Sequence, residues 1–274
     1  MPGKTVIITG ASDGIGAAAA RRLRRGGDNV VVVGRSPEKT RAIADELDTD
    51  HFVVDFADLA AVRGFVDDVR NRYSRIDVLA NNAGAMAADV SYTPDGFEKL
   101  LQVNYLAPFL LTTGLLDLLS ESGARVVTTS SASHKLARPK TVDELLNTAE
   151  VGSNKAYALT KLALVLFTRE LHRRHHERGI SAVAFHPGWV RSNIGPASGS
   201  RLLKLVHRTP FGLLGKQPDE GAEQLVLFAN ETPGRTWHSG DYFSGGKPLK
   251  AARSAYDDDL ARDLWDRTTT LVAT

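Results

Sequence analysis

The chain has 274 residues, of which 42% are hydrophobic and 24% are charged, so it is long enough to bury a large core within one domain. Its 34 basic and 32 acidic residues leave a formal charge of +2, which gives no reason to expect a nucleic-acid partner. The absence of cysteine excludes disulfides, thiolate nucleophiles and cysteine-ligated zinc.

The first residues, Met1 to Lys4, lead at once into a short apolar strand, without the basic flank and long apolar segment of a signal peptide. No later run reaches the roughly 18 apolar residues that are needed to span a bilayer. We therefore expect a cytoplasmic protein.

Short apolar runs alternate along the chain with longer stretches of helical periodicity. Strands are predicted at 6–9, 30–33, 52–54, 78–80, 126–129, 182–185 and 241–243, and helices near 15–26, 37–47, 58–73, 95–119, 154–178, 218–230 and 257–271. This alternation is typical of a parallel sheet with helices on both faces. The sequence therefore predicts a single α/β domain over residues 1–274, with a doubly wound sheet of about seven parallel strands.

A glycine-rich turn, Thr9-Gly-Ala-Ser-Asp-Gly-Ile-Gly16, separates the first predicted strand from the first predicted helix. Glycines at 10, 14 and 16 permit a tight turn and let backbone N–H groups approach a pyrophosphate at the helix N-terminus, where the helix dipole favours anions. In this position the turn predicts a dinucleotide site rather than a purely structural turn.

Arg35 follows the second predicted strand, and Gly34 stands where an acid commonly holds the ribose 2′-hydroxyl. A guanidinium suits a 2′-phosphate, so this pair favours NADP(H) over NAD(H). An exposed arginine without a ligand is the alternative. Asp13 fits less well, because an acid near a phosphate repels it unless the side chain turns outward.

Tyr157 and Lys161 are four residues apart on the predicted helix 154–178 and therefore share one face. A phenol, which ionises at about pH 10, needs a nearby cation to carry protons at neutral pH. The spacing alone favours the alternative of an exposed pair without a catalytic role. His172 and His176 have a spacing that metals use, but they end a helix before Gly179, where positive charge suits the dipole, so no metal site is predicted.

Six motifs in order make the chain resemble the short-chain dehydrogenase/reductase superfamily over nearly its whole length. They are Thr9-Gly-x-x-x-Gly-Ile-Gly16, Asn81-Asn-Ala-Gly84, Asn104, Ser130-Ser131, Tyr157-x-x-x-Lys161 and Pro187-Gly-Trp-Val-Arg-Ser192. Within the superfamily the chain is most similar to the retinol dehydrogenase and WW-domain oxidoreductase branch. This similarity to the branch rests on the stretches 102–112, 161–171 and 240–243.

The resemblance implies a Rossmann-type catalytic domain in which Tyr157 is the general acid/base and Lys161 lowers its pKa and holds the nicotinamide ribose. Ser131 would hydrogen-bond the substrate oxygen, and Asn104 would hold a water that links Lys161 to solvent. Ser130 and Ser133 remain alternatives to Ser131, since Ser133 could share a strand face with it. Hydride transfer fits this set, because the cofactor supplies the hydride and the protein one mobile proton.

The resemblance also implies a set of cofactor contacts. Asp55 would take the adenine amino group, Asn81 and Gly84 lie where the family's backbone approaches the adenine ribose, and Ser192 would bind the nicotinamide carboxamide. The full set is Gly10, Ser12, Asp13, Gly14, Ile15, Gly16, Arg35, Asp55, Asn81, Ala83, Gly84, Tyr157, Lys161, Pro187, Gly188, Val190 and Ser192.

Two segments depart from a minimal family pattern. The insertion 135–153 is predicted to be a surface loop with a short helix. The Pro- and Gly-rich stretch 188–216 is predicted to be a substrate lid, whose part 198–216 mixes leucines with basic residues. An apolar inner face of that part would favour a lipophilic substrate, and a basic amphipathic stretch could also rest on an anionic membrane; packing on its own protein is the alternative.

The sequence thus predicts an NADP(H)-dependent oxidoreductase that interconverts an alcohol and a carbonyl of a small, apolar molecule. The alternative is a protein that is not an enzyme but senses NADP(H). The presence of the full set of catalytic residues, Tyr157, Lys161, Ser131 and Asn104, argues against it. Light-dependent tetrapyrrole reduction is disfavoured by the absence of cysteine. Many relatives associate through helices near 97–119 and 154–178, so a homo-oligomer and a monomer both stay open.

Overall fold

A computed structural model describes residues 3–188 and 217–273 of the chain. These residues form an eight-stranded sheet in the order β3-β2-β1-β4-β5-β6-β7-β8, in which the first seven strands are parallel and the last is antiparallel to its neighbour. The strands are β1 (Thr5–Thr9), β2 (Asn29–Gly34), β3 (His51–Val53), β4 (Val78–Asn81), β5 (Arg125–Thr129), β6 (Ser181–His186), β7 (Tyr242–Ser244) and β8 (Lys247–Pro248).

Helices connect and cover these strands. The helices of the described residues are α1 (Gly14–Arg25), α2 (Pro37–Leu47), α3 (Leu59–Arg72), α4 (Lys99–Leu101), α5 (Ala107–Gly114), α6 (Leu116–Ser122), α7 (Val142–Leu146), α8 (Ser153–His175), α9 (Pro218–Asn230) and α10 (Asp258–Val272). A π-helical turn, Gln102–Leu106, joins α4 to α5, and 3₁₀ turns lie at Ala132–Leu136 and Arg253–Tyr256. The predicted doubly wound α/β fold is confirmed.

Alternate residues of each strand face opposite sides of the sheet, so the continuous apolar runs fill two cores. In β1, Val6 and Ile8 pack with α1 and α9, whereas Ile7 packs with α3, α5 and α8. All three side chains are fully buried. The C-terminal ends of the parallel strands meet at one edge of the sheet, which is where ligands bind in open α/β folds.

The predicted helix 95–119 differs from the structure more than any other predicted helix does. It begins at Lys99, contains the π-helical turn, and is interrupted at Leu115, whose backbone has φ −106° and ψ 5°. Pro108 is a local reason for the departure, because it has no N–H to offer the carbonyl of Asn104 four residues earlier. The break matters for the site, since Asn104 lies within the π-helical turn.

Three smaller features complete the comparison with the predicted elements. The helix predicted over 154–178 ends at His175, and the insertion 135–153 contains the short helix α7. Strand β8 was missed, because a two-residue edge strand leaves no period to detect. In α10, Asp257 accepts a hydrogen bond from the Leu260 N–H and caps the helix.

Helix α10 packs across α5 and α8, two of the helices through which many relatives were expected to associate. The Trp265 ring stacks on Phe167 at 5.6 Å between centroids and meets the edge of Phe109 at 5.1 Å. Trp265 is 7% exposed. The chain therefore covers this part of α5 and α8 with its own C-terminal helix.

The two histidines near the end of α8 are engaged with protein groups. His172 Nδ1 hydrogen-bonds Ser239 Oγ at 2.9 Å, and His176 Nδ1 hydrogen-bonds the Ile180 carbonyl at 3.2 Å. The described residues contain no cluster of three or more His, Asp or Glu side chains that could hold a metal ion.

Among the described residues, no single helix is long and apolar enough to cross a membrane. The two helices Lys99–Gly114 and Leu116–Ser122, which are bent relative to each other, reach that length and apolarity only when they are taken together.

Candidate active site

The glycine turn between β1 and α1 is packed so closely that side chains are excluded. A Cβ at Gly16 would lie 2.2 Å from the Gly10 carbonyl oxygen, and one at Gly10 would lie 2.9 Å from the Ala83 Cα. Gly10 and Gly14 also have φ values of +68° and +53°, in the left-handed region that glycine favours. The turn therefore needs glycine at all three predicted positions, and it lies at the N-terminus of α1, where the helix dipole favours an anion.

Thr9 and Asn82 hold this turn against the loop after β4, and sequence reasoning assigned neither a role. The N–H groups of Asn82 and Ala83 both donate to Thr9 Oγ1 at 3.0 Å, and Asn82 Nδ2 donates to the Thr9 carbonyl at 3.0 Å. Ile15 packs against the core beside α1. The loops expected on two sides of the cofactor thus form one rigid unit, and Asn82 could have been suspected from its place in the second motif.

Gly34 and Arg35 lie at the end of β2, next to the glycine turn. A Cβ at Gly34 would lie 2.5 Å from Thr40 Oγ1 and 2.6 Å from Ser12 Oγ, so no acidic side chain fits at this position. Arg35 is exposed and makes no hydrogen bond or ion pair with any other residue that the structure describes. Its guanidinium is therefore available to a ligand, and this arrangement suits a dinucleotide with a phosphate near β2.

Asp13, the acid within the glycine turn, accepts one N–H of the turn and pairs with a lysine of α2. Its Oδ1 accepts a hydrogen bond from the Gly14 N–H at 2.8 Å, and its Oδ2 pairs with Lys39 Nζ at 2.8 Å. Asp13 is thus the N-cap of α1, and Lys39 compensates its charge. Lys39 was missed because its approach to residue 13 depends on how α2 packs.

Asp55 and Asn81 follow neighbouring strands but differ in exposure. Asp55 is exposed after β3 and accepts a hydrogen bond from the Ala57 N–H at 2.9 Å, while Phe56 beside it is buried in the core. The Asn81 side chain points inward, where its Nδ2 donates to Thr112 Oγ1 at 2.9 Å. Asp55 can therefore reach a ligand with its side chain, whereas Asn81 can offer only its backbone.

Tyr157 and Lys161 lie one turn apart on α8 and do meet. Lys161 Nζ lies 5.5 Å from the centroid of the Tyr157 ring, and it donates a hydrogen bond to the Thr129 carbonyl at 3.1 Å. Lys161 is 4% exposed. Its burial lowers its pKa from 10.5 to about 8.

The pKa of Tyr157 is raised by its surroundings. Burial raises it above its ordinary value, because the enclosed phenol loses the water that would stabilise its ionised form, and a hydrogen bond with the Ser131 side chain acts in the opposite direction. Tyr157 is therefore a neutral phenol at pH 7 and holds its proton. The lowering of this pKa by Lys161 stays a prediction.

The three candidate serines after β5 have different surroundings. Ser130 is buried, and its hydroxyl donates to the Lys161 carbonyl at 2.8 Å. Ser131 Oγ accepts from the Ser133 N–H at 3.2 Å and is the hydroxyl that meets Tyr157. Ser133 Oγ is buried without a partner among the described residues. Of the three, Ser131 is the one whose hydroxyl lies beside the phenol.

Asn104 lies beside Lys161, and its side chain makes three hydrogen bonds to protein groups. Its Oδ1 accepts from the Ala85 N–H at 2.7 Å, and its Nδ2 donates to the Ala85 carbonyl at 3.0 Å and to Thr160 Oγ1 at 3.3 Å. A Cβ at Gly84 would lie 3.3 Å from Asn104 Oδ1 and 3.5 Å from Lys161 Nζ, so Gly84 lies between the two. Asn104 therefore anchors the loop after β4 to α8, and the water predicted at this residue stays a prediction.

The last motif is described only in part. Pro187 is buried directly after β6, and Gly188 has a φ of +93°. Gln224 Nε2 donates to the His186 carbonyl at 2.7 Å and thereby ties the end of β6 to α9. The predicted contacts Val190 and Ser192, and the predicted lid beyond Gly188, lie outside the described residues.

A glycine cradle, an available arginine and a Tyr–Lys–Ser group at the same sheet edge define a dehydrogenase site on a dinucleotide-binding fold. Residues 4–201 match the family model described as short chain dehydrogenase. The chain belongs to this family, whose members are oxidoreductases that bind a nicotinamide cofactor and act on small molecules. Within it, the chain lies in the retinol dehydrogenase-like branch.

Individual relatives agree with this assignment. The chain is 37% identical to Retinol dehydrogenase 13 of Homo sapiens, over 99% of this chain and 85% of that protein. It is 35% identical to Polyprenol dehydrogenase of Homo sapiens, over 97% of this chain and 84% of that protein. A short chain dehydrogenase from Burkholderia cenocepacia in complex with NADP has 27% identity and a TM-score of 0.70, covering 89% of this chain and 96% of its own.

Proposed function

We propose that the protein is an NADP(H)-dependent oxidoreductase that interconverts an alcohol and an aldehyde or ketone of a lipophilic molecule, with Tyr157 as the acid/base. The observation that carries the proposal is the meeting of three groups: Lys161 Nζ lies 5.5 Å from the Tyr157 ring, and Ser131 meets the Tyr157 hydroxyl. The fold places them at the edge of the sheet that also carries the glycine turn.

The protein's own groups handle one proton. In reduction, Ser131 donates a hydrogen bond to the substrate oxygen, and the neutral Tyr157 gives its proton to that oxygen as negative charge develops there. Lys161 stabilises the phenolate that remains and holds the ribose hydroxyls. In oxidation the same residues work in reverse, and the phenolate accepts the alcohol proton. The glycine turn and Arg35 would hold a nicotinamide cofactor, whose chemistry would be to supply the hydride in reduction and to accept it in oxidation.

The preference for NADP(H) rests on two neighbouring residues. Gly34 excludes an acidic side chain at the end of β2, because Ser12 and Thr40 crowd its Cα. Arg35 extends from the same strand end as an exposed cation that no described residue engages. A 2′-phosphate would gain charge-assisted hydrogen bonds there, whereas a bare 2′-hydroxyl would find no acid to bind.

The lipophilic substrate is supported by the sequence of 198–216, in which leucines alternate with basic residues, and by relatives named for retinol and polyprenol. In this proposal the protein is cytoplasmic, and the mixed apolar and basic composition of the segment suits contact with an anionic membrane surface. Self-association through the part of α5 and α8 that Trp265 covers would require α10 to move away.

The test is Tyr157→Phe, with Tyr92→Phe at an exposed position as the matched control. NADPH oxidation with retinoid and aliphatic aldehydes measures turnover, and fluorescence titration measures NADPH binding. Tyr157→Phe should lose turnover while NADPH affinity is kept. Turnover retained within about tenfold contradicts the proposed role, since a positioned acid/base group contributes about 10²-fold or more. A wild-type protein that binds NADPH but turns over no carbonyl or alcohol is instead a cofactor sensor.

A further inference from the structure

His134 connects the serine of the candidate active site to the C-terminal part of the chain. Its ring Nδ1 lies 2.6 Å from the Ser131 carbonyl oxygen, and its Nε2 lies 3.0 Å from the backbone nitrogen of Ala252. The side chain is fully buried, and the ring of Tyr242 meets its edge at 4.6 Å between centroids. Nothing in the proton transfer itself uses this histidine.

The two backbone partners determine the protonation state of the ring. A carbonyl oxygen can only accept, so Nδ1 must carry a proton and donate it to Ser131. The Ala252 N–H can only donate, so Nε2 must be unprotonated and accept. His134 is therefore a neutral imidazole with its proton on Nδ1. Burial agrees with this state, because it lowers the pKa of His134, with the Ser131 hydrogen bond opposing and Lys135 adding to the effect.

The Ser131 carbonyl receives both of its hydrogen bonds from residue 134. The backbone N–H of His134 donates to it at 3.1 Å in the 3₁₀ turn, and the ring Nδ1–H occupies the second lone pair. Ser131 itself is extended, with φ −151° and ψ 151°, at the point where the chain leaves β5. The two hydrogen bonds to this carbonyl thus restrain the ψ angle of Ser131 and with it the backbone position from which the hydroxyl side chain extends.

We propose that His134 is a positioning residue for Ser131: its Nδ1–H fixes the Ser131 carbonyl, and the Ala252 N–H, 118 residues further along the chain, fixes the orientation of the ring. This inference rests on the proposed function, because it assigns Ser131 to the substrate oxygen. The C-terminal segment between β8 and α10 thereby belongs to the architecture of the active site, although it contributes no atom to the reaction.

Two substitutions separate the two hydrogen bonds of the ring. The amide nitrogen of asparagine occupies a place close to Nδ1, so His134→Asn keeps a donor for Ser131 and loses the acceptor for Ala252. The amide of glutamine reaches close to Nε2, so His134→Gln keeps the acceptor and loses the donor. Both replace a buried ring with an amide, so both variants lose stability. His134→Asn leaves the Ala252 N–H without a partner, whereas in His134→Gln the Ser131 carbonyl keeps the hydrogen bond from the backbone N–H of residue 134.

The experiment compares kcat, KM, NADPH affinity and melting temperature for both variants. We expect the melting temperature to fall at least as far for His134→Asn as for His134→Gln, and NADPH affinity to stay unchanged in both. The kcat should stay within about threefold of wild type for His134→Asn and fall by about tenfold or more for His134→Gln, since small displacements of positioned groups are costly. A kcat for His134→Gln equal to or above that of His134→Asn, or a kcat that follows melting temperature in both, overturns the proposal.

A measurement on the unaltered protein covers the case in which the variants do not fold. In ¹⁵N-histidine-labelled wild type, the His134 ring should show a protonated Nδ1 and an unprotonated Nε2 at pH 7. A charged ring, or a proton on Nε2, contradicts the inferred hydrogen bond. This measurement needs no turnover, so it separates failure of this inference from failure of the proposed function. If only the proposed function fails, the wild-type protein has the expected protonation state at His134 but no activity.

Discussion

Lys161 Nζ donates a hydrogen bond to the carbonyl oxygen of Thr129 at 3.1 Å, and this contact between α8 and the end of β5 brings a charged group into the interior. An ammonium in this position loses most of its hydration, which is why its pKa falls to about 8. The residue that the proposed mechanism needs as a cation is thus one that the fold holds at a cost in stability.

Replacing Lys161 with methionine should raise stability and abolish turnover. The pKa of Lys161 falls from 10.5 to about 8 on folding, so the unfolded chain binds the proton more tightly and wild-type stability rises between about pH 8 and pH 10.5. Below pH 8 the destabilisation is complete and amounts to at most about 3 kcal/mol. Lys161→Met should therefore exceed wild type by up to that amount at pH 7, and the difference should shrink towards pH 10.5.

Urea denaturation of the ligand-free protein at pH 7 and pH 10 measures this difference. Lys155→Met is the matched control, because Lys155 is exposed on the same helix and should change neither stability nor turnover by much. A Lys161→Met variant that is less stable than wild type at pH 7 would show that the ammonium contributes more through its hydrogen bond than it loses through burial.

Replacing Arg35 with aspartate should shift cofactor preference from NADPH towards NADH. A hydrogen bond between ions contributes about 1.5–3 kcal/mol, so the ratio of NADPH to NADH affinity should fall at least about tenfold. Titration of both cofactors gives the ratio, and Arg41→Asp, at an exposed position on α2, controls for the general loss of charge. An unchanged ratio in Arg35→Asp means that Arg35 does not bind a 2′-phosphate.

Replacing Gly16 with alanine should weaken cofactor binding and stability together. The new Cβ would lie 2.2 Å from the Gly10 carbonyl oxygen and 2.7 Å from Asn82 Nδ2, so the backbone of the turn must move. Dinucleotide affinity should fall by about tenfold or more, or about 1.4 kcal/mol. Gly64→Ala is the control: no atom lies within 4 Å of its added Cβ, and an alanine within α3 should stabilise by about 0.5–1 kcal/mol. Equal behaviour of the two variants would refute the close packing of the turn.

Replacing Trp265 with alanine should destabilise the protein by about 3–5 kcal/mol, as for other buried aromatic residues. The change removes a ring that stacks on Phe167 and meets the edge of Phe109, and it uncovers part of α5 and α8. Urea denaturation measures the loss, and Arg267→Ala on the exposed side of α10 should cost far less. Sedimentation of Trp265→Ala should then show more concentration-dependent association than wild type, whereas sedimentation unchanged from wild type would mean that α10 still covers the face.

The sequence by itself determined the α/β class, nearly every strand, the glycine turn and the spacing of Tyr157 and Lys161. These features depend on residues that are close together in the chain: alternation along a strand, a 3.6-residue period, and the need for glycine where φ is positive. Local periodicity could not detect β8, which has two residues, or the π-helical turn that carries Asn104, because a helical pattern continues through it.

Only the tertiary structure decided how the site residues are arranged and charged. Ser131 is distinguished from Ser130 by which hydroxyl meets Tyr157, Asp13 is compensated by Lys39, and the pKa of Tyr157 is raised by burial. His134 reaches Ala252 across 118 residues of chain. Burial and contacts between distant segments arise only when separate elements pack together, so they cannot be predicted from local patterns in the sequence.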